Sequence, residues 1–322
     1  MATTHLETDL DLVVQYKFDA ADGVAVIGLC TADGALLPRW EPGAHVDLHL
    51  GSDGALVRQY SLCGDPDDRS SWSVAVLREP TGRGGSQFIH DKLDAGEAIR
   101  VRGPRNHFPF NQSEKYLFIG GGIGITPLIP MMAAAEAAGA EWSLTYGGRS
   151  RDSMSFVDEL VRTYGDRVTV WPQDTHGLID LEGILGMPLP NTHVYCCGPE
   201  PLLDAVELNC AQWPTGSLHI ERFAPKEVGE RVLAGPFEVE TTSNGNVLTV
   251  NPDQTVLEVL QNSGLFVDSS CEEGTCGSCE VAVLAGAIDH RDSVLTPEEQ
   301  AVGDVMMVCV SRAACSRLVL EI

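Results

Sequence analysis

Basic residues are scarce in this chain of 322 residues: 21 Lys and Arg against 46 Asp and Glu leave a formal charge of −25. Like charge repels, so the chain as a whole is a poor ligand for nucleic acid or an anionic membrane. The first ten residues hold Glu7 and Asp9 and no apolar run, so no export signal is read there. Internal repeats and low-complexity tracts are missing. Ten cysteines are too few in this length for a disulfide scaffold, and they indicate a reduced, cytoplasmic setting in which spacing matters more than number. Long apolar runs are missing too, apart from residues 116–135, 20 residues without a charge. That run contains Gly120-Gly121-Gly122-Ile123-Gly124, Pro127 and Pro130, which reads as strand, glycine turn and buried helix, not as a membrane span.

What is present is ordinary globular composition, 43% hydrophobic with 33 Gly and 18 Pro, in a length suited to two or three domains. Residues 1–110 carry short alternating apolar runs (24–29, 45–50, 72–77, 98–101), the pattern of an antiparallel β-barrel. Residues 111–225 change to strands (116–119, 142–146, 168–171, 193–197) each followed by a helix or glycine turn, the pattern of a parallel α/β sheet. A polar linker, 226–236, contains Lys226, Glu227, Gly229 and Glu230. The remainder, 237–322, opens with a hairpin around Asn244-Gly245-Asn246, then a helix at 255–261 ended by Gly264. Thr296-Pro297-Glu298-Glu299 has capping-box form.

The most specific signal is Cys271-x4-Cys276-x2-Cys279 with Cys309 far downstream, the plant-type spacing for a [2Fe–2S] cluster. Three thiolates from one tight loop wrap the cluster and the fourth arrives from a separate element. Gly274 and Gly277 let the loop curve and aim N–H groups at sulfur. The competing readings are a zinc site, which prefers paired knuckles where only one Cys-x2-Cys exists, a redox dithiol at Cys276 and Cys279, or chance. Cys30, Cys63, Cys210 and Cys315 read as small buried hydrophobes or incidental thiols. Cys315 lies past the end of a strand expected at 306–310, which makes it a poor ligand.

Two glycine segments suggest anion sites. Gly120 to Pro127 follows a strand and precedes a helix, so its N–H groups suit a diphosphate, but Ile125 stands where the dinucleotide fingerprint needs its third glycine. Gly82-Arg83-Gly84-Gly85-Ser86 leads into a helix at 87–93, with Ser86 expected as N-cap beside Arg58. In Arg58-Gln59-Tyr60-Ser61 a guanidinium suits phosphate, a ring suits stacking and a hydroxyl suits a ring nitrogen. Taken singly, Tyr60, Ser61 and Thr126 are ordinary strand-end and cap residues.

Arg58-Gln59-Tyr60-Ser61, Gly121-Gly122-Ile123-Gly124-Ile125-Thr126-Pro127 and Cys197-Gly198-Pro199 occur in the order seen in the ferredoxin–NADP reductase superfamily. With a C-terminal plant-type ferredoxin segment, the chain resembles the phthalate dioxygenase reductase family, the reductase components of two-component Rieske oxygenases. The resemblance covers essentially the whole chain. It implies a multidomain fold: a β-barrel flavin domain (1–110), an α/β nucleotide domain (111–225) and an α+β, β-grasp ferredoxin domain (237–322). It implies FMN, its phosphate held by Arg58 and the Gly85-Ser86 turn, with Tyr60 and Ser61 at the isoalloxazine. It implies NADH over Gly121, Gly122, Gly124 and Thr126, with Gly198 and Pro199 bordering the nucleotide and Ser61, Thr126 and Cys197 at the hydride-transfer site. Cys271, Cys276, Cys279 and Cys309 would carry the cluster. Cys196, on the opposite strand face from Cys197, is assigned to the core. His219-Ile220-Glu221-Arg222-Phe223 matches a family segment read as flavin-side packing.

A nicotinamide delivers two electrons as hydride and a [2Fe–2S] centre accepts one, so a flavin must stand between them. The expected function is an NADH-dependent reductase for a Rieske-type aromatic-ring oxygenase or demethylase. Residues 237–322 hold 14 Asp or Glu against Arg291, Arg312 and Arg317, a net of −11, which suggests docking of the oxygenase through this acidic segment. After 142–146, Arg149 and Arg151 suit a 2′-phosphate while Asp152 repels one; the family's usual NADH is the expectation. Alternatives are a di-iron hydroxylase or cytochrome P450 as partner, FAD in place of FMN, or a redox carrier or sensor without NADH turnover.

Overall fold

The computed structural model describes residues 7–51, 54, 56–226, 228–243 and 245–322. Glu227 of the expected linker and Asn244 of the expected turn lie outside the described residues, as do residues 1–6. By compactness the chain divides into two units, Met1–Glu221 and Arg222–Ile322.

The first unit begins with six antiparallel strands: β1 (Thr8–Ala21), β2 (Val24–Thr31), β3 (His45–Leu50), β4 (Leu56–Ser61), β5 (Trp72–Leu77) and β6 (Ala98–Arg105). Their order is β4-β3-β6-β1-β2-β5, and a bridge between Leu62 and Val74 brings the two edges together as a barrel. Alternation builds it: Val46, Leu48 and Leu50 of β3 point into a core shared with Leu12, Ile27, Leu29 and Trp72. Helix α1 (Gly85–Lys92) leans on this barrel through Ile89.

Five parallel strands follow: β7 (Lys115–Gly121), β8 (Glu141–Gly148), β9 (Val168–Pro172), β10 (Thr192–Cys197) and β11 (Leu218–Glu221), in the order β11-β10-β7-β8-β9. The connections contain α2 (Leu128–Ala137), α3 (Val157–Tyr164), α4 (Gln173–His176), α5 (Leu181–Leu185) and α6 (Glu200–Asn209). Strand order reverses at β7, so the loops after β7 and β10 diverge and leave a crevice at the carboxyl ends of these strands. β2 is apolar on both faces. Val24 and Val26 leave the barrel core and pack in a second cluster with Ile123, Ile129 and Phe156 of the parallel half. That shared seam makes one body of barrel and parallel sheet.

The second unit contains β12 (Phe237–Thr241), β13 (Val247–Val250), α7 (Val256–Asn262), β14 (Glu280–Ala285), β15 (Ile288–Asp289), α8 (Pro297–Val302), β16 (Val305–Met307), β17 (Arg312–Ala313) and β18 (Arg317–Leu320). A mixed sheet, β13-β12-β18-β14-β16, has β12 and β18 parallel and covers α7, the β-grasp arrangement; β15 pairs with β17. Both helices start in capping boxes, Thr255 with Glu258 and Thr296 with Glu299. The segment before β12 lies on this unit. Lys226 N–H donates to Ser293 Oγ at 2.8 Å, Arg291 Nη2 to Gly229 O at 2.8 Å and Val232 N–H to Asp289 Oδ2 at 3.2 Å.

Two local expectations change. The strand expected at 306–310 stops at Met307, because the N–H groups of Val310 and Ser311 both turn back to Met307 O; Cys309 therefore sits in a turn. Ser86 is not the N-cap of α1. Gly84, left-handed at φ 84°, takes that place, and Ser86 lies in the first turn with its hydroxyl accepting from Glu79 N–H at 2.9 Å.

Candidate functional site

Register decides what meets at the crevice. Cys197 pairs with Gly120 of β7 on one side and with Glu221 of β11 on the other. The loop after β7 runs as a 3-10 turn, Gly122–Ile125, into α2. A Cβ on Gly124 would lie 2.3 Å from Cys197 O, and one on Gly121 would lie 2.7 Å from both Pro199 Cδ and Leu202 Cδ2. Glycine is needed here because two backbones touch. Tyr146 donates its hydroxyl to Gly122 O at 3.0 Å, which fixes the loop from β8. The buried Thr126 hydroxyl donates to Ile123 O at 3.0 Å and closes the turn.

Ser61, at the end of β4, donates to Glu221 Oε2 at 3.3 Å, and the Cys197 thiol reaches the same oxygen at 3.9 Å. Among the described residues no cation offsets the carboxyl. Burial pushes Glu221 up to about 8, against smaller opposing pulls from Ser61 and Cys197. Burial, then the neighbouring Glu221, pushes the Cys197 thiol well above its usual value. Hydroxyl, carboxyl and thiol thus form a junction that is uncharged at neutral pH. From sequence, Glu221 is read only as part of the 219–223 segment, as flavin-side packing, without a role of its own. The signal available was a carboxylate level with Cys197 at the carboxyl end of the next parallel strand.

Arg58 lies at the start of α1. Its Nη2 donates to Arg83 O at 2.9 Å, and a Cβ on Gly85 would lie 2.5 Å from Arg58 Cγ. The first N–H groups of α1 point out of the helix beside this guanidinium, a site suited to an anion. Tyr60 packs against the barrel core, whereas Ser61 turns to Glu221. Arg58 thus meets Gly85, while Ser61 and Cys197 share Glu221 and the backbone of Cys197 meets Gly124.

The four cysteines are gathered in the second unit, each 1–5% exposed. The Cys271 thiol contacts those of Cys276 and Cys309, and Cys279 contacts Cys309. The loop bends through three left-handed residues, Glu272, Gly274 and Gly277. This bend turns the N–H groups of Glu273 and Thr275 onto Cys271 Sγ at 3.3 and 3.4 Å, and that of Cys271 onto Cys276 Sγ at 3.4 Å. Donors aimed at sulfur stabilise thiolate, so this set fits a cluster held by four thiolates. Among the described residues no group of three His, Cys, Asp or Glu is placed to hold a single metal ion. Among them, too, no helix is long and apolar enough to cross a membrane.

Three family models match in sequence: an oxidoreductase FAD-binding domain at residues 25–110, an oxidoreductase NAD-binding domain at 118–208 and a 2Fe-2S iron-sulfur cluster binding domain at 240–314. The chain is 40% identical to the phenoxybenzoate dioxygenase subunit beta of Ectopseudomonas oleovorans over 94% of each chain. It is 36% identical to the phthalate dioxygenase reductase of Burkholderia cepacia over 100% of both. Among solved structures, it is 35% identical to a phthalate dioxygenase reductase described as a modular structure for electron transfer from pyridine nucleotides to [2Fe–2S] (TM-score 0.71, 98% of both chains). It is 43% identical to part of an intact type IV self-sufficient cytochrome P450 monooxygenase (TM-score 0.91), covering 98% of this chain and 41% of that one.

Proposed function

The chain belongs to the phthalate dioxygenase reductase family, and on that premise we propose that it is the NADH-dependent reductase component of a two-component Rieske-type oxygenase or demethylase, with electrons passing from NADH to FMN to [2Fe–2S] to the oxygenase. The observation that carries this reading is the convergence of Ser61, Cys197, Glu221 and the Gly121–Gly124 loop at the strand-order reversal, in a chain that also gathers four buried cysteines.

Arg58, Gly85 and Ser86 hold the FMN phosphate, and Tyr60 and Ser61 border the ring. Gly121, Gly122, Gly124, Gly198 and Pro199 hold the dinucleotide, with Thr126 near the nicotinamide. Cys271, Cys276, Cys279 and Cys309 hold the iron. The bound flavin supplies the conversion of a two-electron donor into two single-electron deliveries. The chain supplies position and dielectric. Glu221 keeps its proton at neutral pH, so the Ser61–Glu221–Cys197 junction offers hydrogen-bonding groups to a flat heterocycle without placing a charge against it. Of the two arginines a 2′-phosphate would need, Arg151 is already paired with Asp158 at 2.5 Å, which favours NADH. The division into 1–110, 111–225 and 237–322 assigns one cofactor to each segment, joined by 226–236. Free thiols suit a cytoplasmic setting. The acidic ferredoxin segment is the docking face for the oxygenase.

A second reading replaces the Rieske partner by a cytochrome P450; it is favoured by the high likeness to the self-sufficient P450 chain. Anaerobic mixing of the purified protein with NADH tests the common core. Flavin and cluster absorbance should bleach together, more readily than with NADPH, and FMN should be extracted. Absence of bleaching would leave only a carrier or sensor. Reconstitution with each oxygenase class separates the partners.

A further inference from the structure

Cations are rare in the second unit, yet several meet at one place. A cavity of about 330 Å³ is walled by Arg231, Arg291, Arg312, Glu273, Asp253 and the cluster-loop partner Cys309, among others. Arg312 is unusual among these. It is 4% exposed, its Nη1 and Nη2 donate only to backbone carbonyls (Gln254 O at 2.6 Å, Asn251 O at 3.1 Å), and its Nε is buried without an acceptor. Its guanidinium lies 5.0 Å from the Phe237 ring centroid. Among the described residues it makes no ion pair, whereas Arg291 has Asp289 at 3.3 Å. Burial, then Arg231 and Arg291, lower the Arg312 pKa, against a smaller opposing pull from Asp289, so compensation by its neighbours is incomplete.

A buried cation without a counter-charge is costly, so a lasting one needs negative charge close by. Asp253 is exposed and Glu273 partly so, and water screens both. Asp289, the cross-strand partner of Arg312, is buried but is shared with Arg291 at 3.3 Å and with Val232 N–H, so one carboxylate faces two guanidiniums. Further negative charge is at hand at Cys309, three residues upstream on the same cavity wall. Four thiolates and two sulfides outweigh two ferric ions, so a plant-type centre is a dianion when oxidised. One electron converts one ferric ion to ferrous without a proton and adds one more negative charge. A nearby fixed cation therefore favours the reduced form more than the oxidised one.

We propose that Arg312, seconded by Arg291 and Arg231, is the built-in counter-charge of the iron–sulfur centre and raises its reduction potential. Arg312 is a positioning residue in the electrostatic sense: it sets how readily the centre draws an electron from the flavin without touching either. This inference rests on the cluster assignment above.

The test is an anaerobic redox titration of the full-length holoprotein, with the reduced cluster followed by EPR. Arg312→Gln should lower the reduced-to-oxidised ratio at the wild-type midpoint at least threefold, about 28 mV at 59 mV per tenfold for one electron. Arg312→Lys, which keeps the charge, should stay near wild type. Arg231→Gln, at an exposed side chain, should shift the same way by less. Arg317→Gln, at a residue engaged by Glu238 and Glu240 on the surface, should leave the midpoint in place. Should Arg312→Gln fail to take up iron, Arg231→Gln and Arg291→Gln carry the decision. Unmoved midpoints in all loaded neutral variants, or equal shifts in Arg312→Lys and Arg312→Gln, would overturn the proposal. A wild-type protein with no cluster signal would instead overturn the cluster assignment itself.

Discussion

Glu221 holds its proton tightly because burial penalises its charged form more than the hydrogen bonds from Ser61 and Cys197 favour it. The folded carboxyl titrates at about 8 where a free one titrates at 4.5, so the folded state binds the proton more strongly. Stability from this residue is therefore complete below about 4.5, falls as pH rises toward 8 and is flat beyond, a loss on the order of a few kcal/mol. Glu221→Gln should flatten that part of the stability–pH curve, measured by urea unfolding between pH 5 and about 8.5. A slope unchanged by the substitution would mean the carboxyl is already ionised. The cysteines were legible in the sequence because iron ligation demands one residue type at fixed spacing. The 219–223 segment was legible as flavin-side packing, but the contacts of the Glu221 carboxyl were not, because they come from β4 and β10, neither of which is close to it in sequence.

Elements carry the glycine loop. The close passage of the Gly122–Ile125 turn under Cys197 leaves no room for a methyl group at Gly124. Gly124→Ala should force the two loops apart and lower kcat/KM for NADH at least tenfold, with flavin content unchanged because Arg58 and Gly85 are untouched. Loss of flavin as well would show that the turn supports more than the nucleotide. Element identity was readable from the periodicity of 2 in the barrel and the glycine-punctuated strands after it. Element ends were not. Gly84 takes the cap because it alone tolerates the left-handed backbone there, and the strand before Cys309 stops where Leu257 N–H claims Val308 O, a partner 51 residues away in sequence.

The whole molecule is an acidic surface with a redox centre in its most acidic segment. Association with a basic partner should be fast and screened by salt over a Debye length of about 10 Å at 0.1 M. Raising ionic strength from about 0.05 to 0.5 M should slow partner-dependent turnover several-fold, while NADH oxidation with ferricyanide stays nearly level; equal slowing of both would place the salt effect inside the reductase. At this scale the sequence texture marks where antiparallel strands give way to parallel ones, but not where the apolar seam runs. The seam follows the second face of β2, with Val24 and Val26 packed with Ile123, Ile129 and Phe156. Anyone transplanting this electron supply onto another oxygenase inherits that constraint. A chimera spliced near residue 110 would expose two raw greasy faces and precipitate, whereas one spliced after Glu221 exchanges a self-contained cartridge.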